Sequence, residues 1–171
     1  MISEKLKQGI IDQIKAEEHS SRIYMAMASW CETNGYPGAA KFLYTHSDEE
    51  RMHMLKFVHF LNDRGGHSLL MDLEQPANEF KSLHHVFEEV YKHEQYISAR
   101  INNLVGMSME DRDYTTANFL QWFVTEQIEE ESVARSILDQ FNLTGGEKGS
   151  LFLIDKELSA MTLAEAAAEK E

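Results

Sequence analysis

The chain has 171 residues, which is enough for one domain with a substantial core. It carries 29 acidic against 16 basic residues, and a formal net charge of −13 argues against nucleic acid and anionic membranes as partners. The single cysteine, Cys31, excludes an intrachain disulfide and a paired-cysteine metal site. The first residues lack the apolar segment of a secretory signal, and no apolar run approaches the ~18 residues of a membrane span. We therefore expect a cytoplasmic, single-domain protein spanning 1–171.

Hydrophobic periodicity predicts a first helix over residues 4–33 and a second over 37–64. Between them, Gly35 favours a helix C-cap and Pro37 can open the next helix, so the short link predicts an antiparallel pair. The inward stripe of the first helix comprises Leu6, Ile10, Gln13, Glu17, Tyr24 and Ala28. The inward stripe of the second comprises Leu43, His46, Glu50, His53, Phe57 and Phe60.

Residues 65–81 show no period and contain Pro76, which predicts a loop. Fully extended, this loop reaches about 56 Å at ~3.3 Å per residue, whereas the second helix is about 40 Å long. We interpret it as a crossover that returns along the bundle, because a structureless loop of this length is otherwise unusual in a compact domain. The third helix then starts at the same end as the second.

The remaining periodicity predicts a third helix over 82–107, ending at Gly106, and a fourth over 111–141. Their inward stripes comprise Phe87, Val90, Glu94, Ile97, Ile101 and Leu104, and then Phe119, Trp122 or Phe123, Gln127, Glu130, Ala134, Ile137 and Phe141. A capping-box pattern, Thr144-Gly145-Gly146-Glu147, predicts a short fifth helix over 147–160. We expect its apolar cluster to pack against copies of itself and the tail from Leu163 to fray.

The polar residues that interrupt the four apolar stripes all lie near helix midpoints. They are Glu17, Glu50 with His53, Glu94, and Gln127 with Glu130. Helix midpoints meet at half height whichever way each helix runs, so these side chains can share one layer of the core.

Four buried carboxylates without partners would cost many kcal/mol, and no basic residues interrupt the stripes to pair with them. For any single glutamate, a solvated face is the simpler explanation, but four coincidences favour a dinuclear metal site. Glu50 and His53 are three residues apart on one helical face and can grip one ion. Carboxylates with one imidazole suit iron or manganese better than structural zinc.

The helix lengths, the crossover, the terminal helix and the pattern Glu17/Glu50-x-x-His53/Glu94/Gln127-x-x-Glu130 resemble bacterial non-haem ferritin. The resemblance extends from residue 1 to about 160. It implies an all-α ferritin-like four-helix bundle with a fifth C-terminal helix. It also implies a ferroxidase that oxidises Fe(II) with dioxygen or hydrogen peroxide, and iron storage as a ferric mineral inside a hollow homo-oligomeric shell of 24 subunits.

The resemblance also assigns roles to individual residues. It makes Glu17, Glu50 and His53 ligands of the first iron, with Glu50 bridging to a second iron held by Glu94 and Glu130 near Gln127. It implies a third iron site at Glu49, Glu126, Glu129 and Glu130. It places Tyr24 against the iron centre, whereas Trp122 is either an oxidisable side chain or a core aromatic. We interpret His46 as a core or supporting residue rather than a ligand.

The chain departs from symmetric ferritin-like proteins because its second motif reads Gln127-x-x-Glu130 instead of Glu-x-x-His. Arg51 follows Glu50 where bacterioferritin has its haem-binding methionine, and Met52 lies on a different face, so we expect no haem. Two alternatives to iron storage stay open at this point. One is a di-iron redox enzyme, peroxidase-like, without mineral storage, and the other is a metal-free helical assembly protein.

Overall fold

The computed structural model describes residues 2–144 and 148–168, and the regular structure throughout these ranges is helical. The helices in chain order are α1 Glu4–Thr33, α2 Pro37–Asp63, α3 Leu83–Glu110, α4 Tyr114–Thr144 and α5 Lys148–Ala168. The first four form the predicted bundle. Within the described ranges, no helix combines the length and the apolarity that a bilayer crossing requires.

Two apolar clusters, one at each end of the bundle, show how the helices run. The first unites the C-terminal halves of α1 and α4 with the N-terminal halves of α2 and α3, and the second unites the opposite halves. In the first cluster the ring centroids of Phe42 and Phe87 lie 6.0 Å apart, and in the second those of Phe57 and Phe123 lie 4.2 Å apart. Helices α2 and α3 are therefore parallel, which confirms the crossover.

The junction between α3 and α4 lies later in the chain than predicted. Helix α3 continues past Gly106 to residue 110, and α4 covers 114–144 rather than 111–141. A glycine inside a helix costs about 1 kcal/mol relative to alanine. The neighbouring Leu104, Val105 and Met107 pack in the second apolar cluster, and this packing holds the helix together across Gly106. Asp113 caps α4 by accepting a hydrogen bond from the Thr116 amide at 3.1 Å. Hydrophobic periodicity does not reveal such a side-chain cap.

Helix α5 is longer than predicted. It extends to residue 168, beyond the predicted end at residue 160, and fraying of the tail from Leu163 stays a prediction. The segment is rich in alanine, the residue with the strongest helix propensity, and this explains why the helix persists. Residues 145–147, which complete the predicted capping box, lie outside the described residues.

Helix α5 docks against the N-terminus of α2 in its own chain. Asp155 Oδ1 accepts a hydrogen bond from the Ala39 amide at 2.8 Å. A Cβ atom at Gly38 would lie 1.8 Å from the Asp155 carbonyl oxygen, so a glycine is needed for this close approach. Ile154 and Leu158 join the first apolar cluster. Part of the apolar surface of α5 is therefore used within the chain.

Candidate metal centre

Between the two apolar clusters, the four long helices bring their polar stripe residues into one layer. Five of these residues are buried, with exposed fractions of 6% or less: Glu17, Glu50, His53, Glu94 and Gln127. The Glu130 side chain is slightly more open at 13%. The layer occupies the half height of the bundle, where the positions of the helix midpoints predicted it.

The α1–α2 side of the layer has the geometry of a metal site. Ligand atoms of Glu17, Glu50 and His53 all lie within 4.8 Å of one another. Glu17 Oε2 and Glu50 Oε2 are buried and have no hydrogen-bond partner among the described residues. A buried carboxylate oxygen without a partner is strongly unfavourable, and a cation between these side chains would satisfy both atoms. The donor set therefore fits a divalent ion.

On this side of the layer, burial and the negative charges of neighbouring carboxylates favour protonated carboxyl groups. Burial raises the pKa of Glu17 well above its usual value, and the charge of Glu50 raises it further. Burial and then the charge of Glu94 raise the pKa of Glu50 in the same way. A bound cation would reverse this preference because it favours the ionised carboxylates.

His53 is held between acidic neighbours. Its Nδ1 lies 3.6 Å from Glu50 Oε2, and its Nε2 lies 3.7 Å from Glu126 Oε1. Burial by itself would lower the pKa of His53, but the neighbouring carboxylates of Glu126 and Glu17 outweigh burial, so the net shift is upward. Metal binding must therefore displace a proton from this imidazole when it is protonated.

The α3–α4 side of the layer is organised around Glu94. The Tyr24 hydroxyl donates to Glu94 Oε1, and Gln127 Nε2 donates to Glu94 Oε2 at 3.0 Å. Burial and the charge of Glu94 raise the pKa of Tyr24 well above its usual value, which keeps the phenol protonated as a donor. Both oxygens of Glu94 thus already have donors within the chain.

Gln127 acts as a hydrogen-bond donor in this structure. Its Nε2 atom faces not only the carboxylate but also the backbone oxygen of Glu94 at 3.3 Å. A backbone carbonyl only accepts hydrogen bonds, so this contact fixes the orientation of the amide. The role of Gln127 as a metal ligand stays a prediction.

A second group of potential ligands contains His46, which the sequence predicts to be a core or supporting residue rather than a ligand. Ligand atoms of His46, Glu49 and Glu130 lie within 4.8 Å of one another. His46 Nδ1 lies 3.0 Å from the Phe42 carbonyl oxygen, and donation to that oxygen leaves Nε2 free, 3.6 Å from Glu130 Oε2. The three-residue spacing of His46 and Glu49 repeats that of Glu50 and His53, and this signal could have identified it.

The carboxylates predicted for a third site are divided among different surroundings. Glu49 and Glu130 lie together at His46, whereas Glu126 contacts His53. Glu129 is exposed on α4. Burial, followed by the charge of Glu94, raises the pKa of Glu130 well above its usual value. A third ion at these four residues remains a prediction.

Of the two aromatic residues considered for the inner face of α4, Phe123 fills the core and Trp122 lies at its edge. Phe123 is 2% exposed and Trp122 is 39% exposed. The Trp122 ring nevertheless contacts His53 edge-on, with centroids 5.3 Å apart, and Lys56 Nζ lies 3.3 Å above it. Trp122 is therefore a neighbour of the layer rather than a core residue.

Comparison with known proteins identifies relatives along almost the whole chain. The family described as Ferritin-like domain matches residues 8–144. A probable bacterial non-heme ferritin-like protein of Haemophilus influenzae is 44% identical over 162 residues, 95% of this chain and 98% of its own length. A bacterial non-heme ferritin of Campylobacter jejuni is 40% identical over 163 residues, with the same coverage of both chains.

Solved structures show the same similarity in three dimensions. An open-pore ferritin of the archaeon Archaeoglobus fulgidus matches with a TM-score of 0.91 and 41% identity, covering 93% of this chain and 98% of that chain. A humanized archaeal ferritin also matches with a TM-score of 0.91, at 40% identity, covering 93% and 96%. The all-α ferritin-like fold predicted from the sequence is thereby confirmed.

Proposed function

Because the chain belongs to the ferritin-like family, we propose that it is an iron-storage protein that oxidises Fe(II) at the buried layer and stores the ferric product as a mineral. Its substrates are Fe(II) and an oxidant, either dioxygen or hydrogen peroxide. The named relatives are ferritins or, in one case, a probable ferritin-like protein. The match to the family, over residues 8–144, includes all the residues of the layer.

One observation carries the proposal. Glu17 Oε2 and Glu50 Oε2 are buried next to the imidazole of His53, and neither has a hydrogen-bond partner in the part of the chain that the structure describes. No Lys or Arg is buried among the described residues, so protein cations do not compensate these carboxylates from within the core. Unpaired buried carboxylates are retained where a metal neutralises them.

We assign the ligands as follows. Glu17, Glu50 and His53 hold the first iron, and Glu50 bridges to the second, which Glu94 and Glu130 complete beside Gln127. Two divalent ions bring four positive charges against the four carboxylates of Glu17, Glu50, Glu94 and Glu130. Carboxylate oxygens are hard ligands that also favour the more highly charged ferric product, so the layer promotes oxidation.

Other residues support passage of iron through the centre. A third iron at Glu49, Glu126, Glu129 and Glu130 would take ions leaving the second position. Glu130 is the proposed hinge, because it is the most open member of the layer and already lies next to His46 and Glu49. The Tyr24 phenol donates a hydrogen bond to Glu94, a proposed ligand of the second iron, and this contact supports a role for Tyr24 in oxidation.

Storage requires an enclosed space, and we propose that the chain forms a homo-oligomeric shell of 24 subunits in the cytoplasm. The sequence 1–171 acts as one domain in this assembly. Phe152 and Leu153 on α5 are 68% and 64% exposed in the single chain. Their burial between subunits would remove this apolar surface from water.

The test is the amount of iron retained after aerobic addition of Fe(II) to the metal-free assembly, measured after gel filtration. Iron far in excess of the ligand residues supports storage. Iron limited to the ligand layer, with continued turnover of peroxide, would indicate the di-iron redox enzyme instead. No retained iron would contradict both and leave a metal-free helical assembly.

A further inference from the structure

A chain of two hydrogen bonds connects Arg100, on α3, to the proposed iron ligand Glu17, on α1. Arg100 Nε donates to Gln13 Oε1 at 2.9 Å, and Gln13 Nε2 donates to Glu17 Oε1 at 2.8 Å. Gln13 is fully buried, with an exposed fraction of 0%. We propose that Arg100 and Gln13 are positioning residues that select which oxygen of Glu17 is presented to the first ion. This inference rests on the proposed metal centre.

The direction of the chain follows from donor chemistry. An arginine guanidinium has donors and no acceptor, so the Gln13 oxygen must face Arg100 and the Gln13 amino group must face Glu17. A carboxylate is the acceptor that this amino group requires. Successive bonds in one direction polarise each other, so the positive charge of Arg100 strengthens the bond to Glu17 without entering the core.

The consequence is an unequal use of the two Glu17 oxygens. Oε1 is occupied by Gln13, whereas Oε2 is buried and has no partner among the described residues. Glu17 is therefore held in one rotamer, with a single oxygen available beside Glu50 and His53.

Arg100 has an anchor of its own at the outer end of the chain. Its Nη1 donates to the Tyr96 hydroxyl at 3.2 Å, and its guanidinium lies 5.5 Å from the Tyr96 ring centroid. Arg100 lines two surface cavities of about 370 and 310 Å³ between α1 and α3. The side chain is thus fixed at the surface and reaches inward only as far as Gln13.

The experiment measures Zn(II) binding to the metal-free full-length protein by calorimetry, with Gln13→Met, Arg100→Met and the double variant. We expect Gln13→Met to weaken the first ion by about tenfold or more, the scale for loss of a residue that supports a metal ligand. We expect a smaller loss for Arg100→Met, and no change at the second ion in either variant. The matched control is Gln8→Met, since Gln8 donates to Asp12 at 2.9 Å with the same spacing on the exposed face of α1.

Non-additivity distinguishes positioning from simple packing between α1 and α3. If Arg100 acts through Gln13, the double variant binds the first ion no more weakly than Gln13→Met. Additive losses, or equal weakening of both ions, would overturn the proposal. The Arg100→Met variant tests the proposal independently if Gln13→Met fails to fold. An unchanged affinity for the first ion in Arg100→Met would overturn the proposal by itself. Absence of Zn(II) binding by the wild-type protein would instead reject the metal centre itself.

Discussion

The two sides of the buried layer contain similar side chains but differ in how those side chains are satisfied. On the α1–α2 side, Glu17 and Glu50 each have an oxygen with no partner among the described residues. On the α3–α4 side, both oxygens of Glu94 accept hydrogen bonds, one from Tyr24 and one from Gln127. Burial of a carboxylate therefore does not by itself show that its oxygens are available to bind a metal ion.

This difference predicts how each side responds to metal. An ion on the α1–α2 side gains the two carboxylate oxygens that have no hydrogen-bond partner within residues 2–144 and 148–168, and it also gains the imidazole of His53. An ion on the α3–α4 side must share or displace the hydrogen bonds to Glu94. The two imidazoles near that side are already engaged: His46 lies beyond Glu130, and His93 Nε2 is 2.7 Å from the Ser20 hydroxyl. The first ion should bind tightly, and the second should bind more weakly and leave more readily.

The largest expected effect comes from removing the α1–α2 ligands. His53→Ala or Glu50→Ala should slow the fast phase of Fe(II) oxidation at least tenfold, since loss of a metal ligand or its support has about this effect. Stopped-flow absorbance of the ferric product measures this rate. His59→Ala is the control, because His59 is exposed on the same helix. Wild-type rates in both ligand variants would place the oxidation centre elsewhere.

Removal of Glu130 should separate the two sides most clearly. Glu130→Ala should retain one tightly bound metal ion per chain at Glu17, Glu50 and His53, and lose the second and third ions. Calorimetric titration with Zn(II) gives the stoichiometry. Asp139→Ala, an exposed position on the same helix, should behave as wild type. A second ion that persists in Glu130→Ala would break the assignment.

The location of the layer was predictable from the sequence because helical periodicity decides which residues face inward. Glu17, Glu50, Glu94 and Gln127 each interrupt an apolar stripe near a helix midpoint, and burial of all four follows from the packing of the stripes. The crossover was predictable from length. A loop that joins the end of one helix to the start of a parallel neighbour must run back along the bundle, and residues 65–81 are long enough to do so.

The hydrogen bonding within the layer was not predictable in this way. Gln13 appeared only as a stripe residue, and its contacts to Glu17 and Arg100 depend on rotamers and on the rotation of α3 relative to α1. The same applies to His46, whose proximity to Glu130 joins α2 to α4. Helix ends such as Asp113 depend on local caps that periodicity does not report.

The stability of the metal-free protein should depend on pH because of the buried glutamates of the layer. The usual pKa of a glutamate carboxyl is 4.5, and those of Glu17, Glu50 and Glu130 in the folded protein lie well above it. The metal-free folded protein then binds more protons than the unfolded chain at these carboxyl groups. They therefore stabilise the fold in acid, and this stabilisation is lost as the pH rises from 4.5 through the raised pKa values of the folded protein.

Urea unfolding of the metal-free protein between pH 4.5 and neutrality measures this decline. Saturating Zn(II) should reduce it, because the ion favours the ionised carboxylates, and Glu17→Gln should reduce it without metal. If the free energy of unfolding of the metal-free protein instead rises over this pH range, the raised pKa values of these glutamates do not control its pH dependence.

The smallest expected effect concerns the donor to Glu94. Tyr24→Phe leaves Glu94 Oε1 buried without its phenol donor, which should lower the free energy of unfolding of the metal-free protein by about 1–3 kcal/mol. Tyr44→Phe is the matched control, because Tyr44 donates to Glu32 at 3.0 Å on the surface. Equal losses of stability in Tyr24→Phe and Tyr44→Phe would show that the buried hydrogen bond to Glu94 stabilises the protein no more than a surface hydrogen bond does.

The most direct test of the difference between the two sides is the order in which they fill. Crystals of the metal-free protein soaked with Zn(II) at less than one ion per chain can be measured by anomalous diffraction at the zinc edge. We expect density among Glu17, Glu50 and His53, with a second peak at Glu94 and Glu130 only as the concentration rises. Equal occupancy of both positions at every concentration, or filling of the Glu94 side first, would contradict the inequality of the two sides.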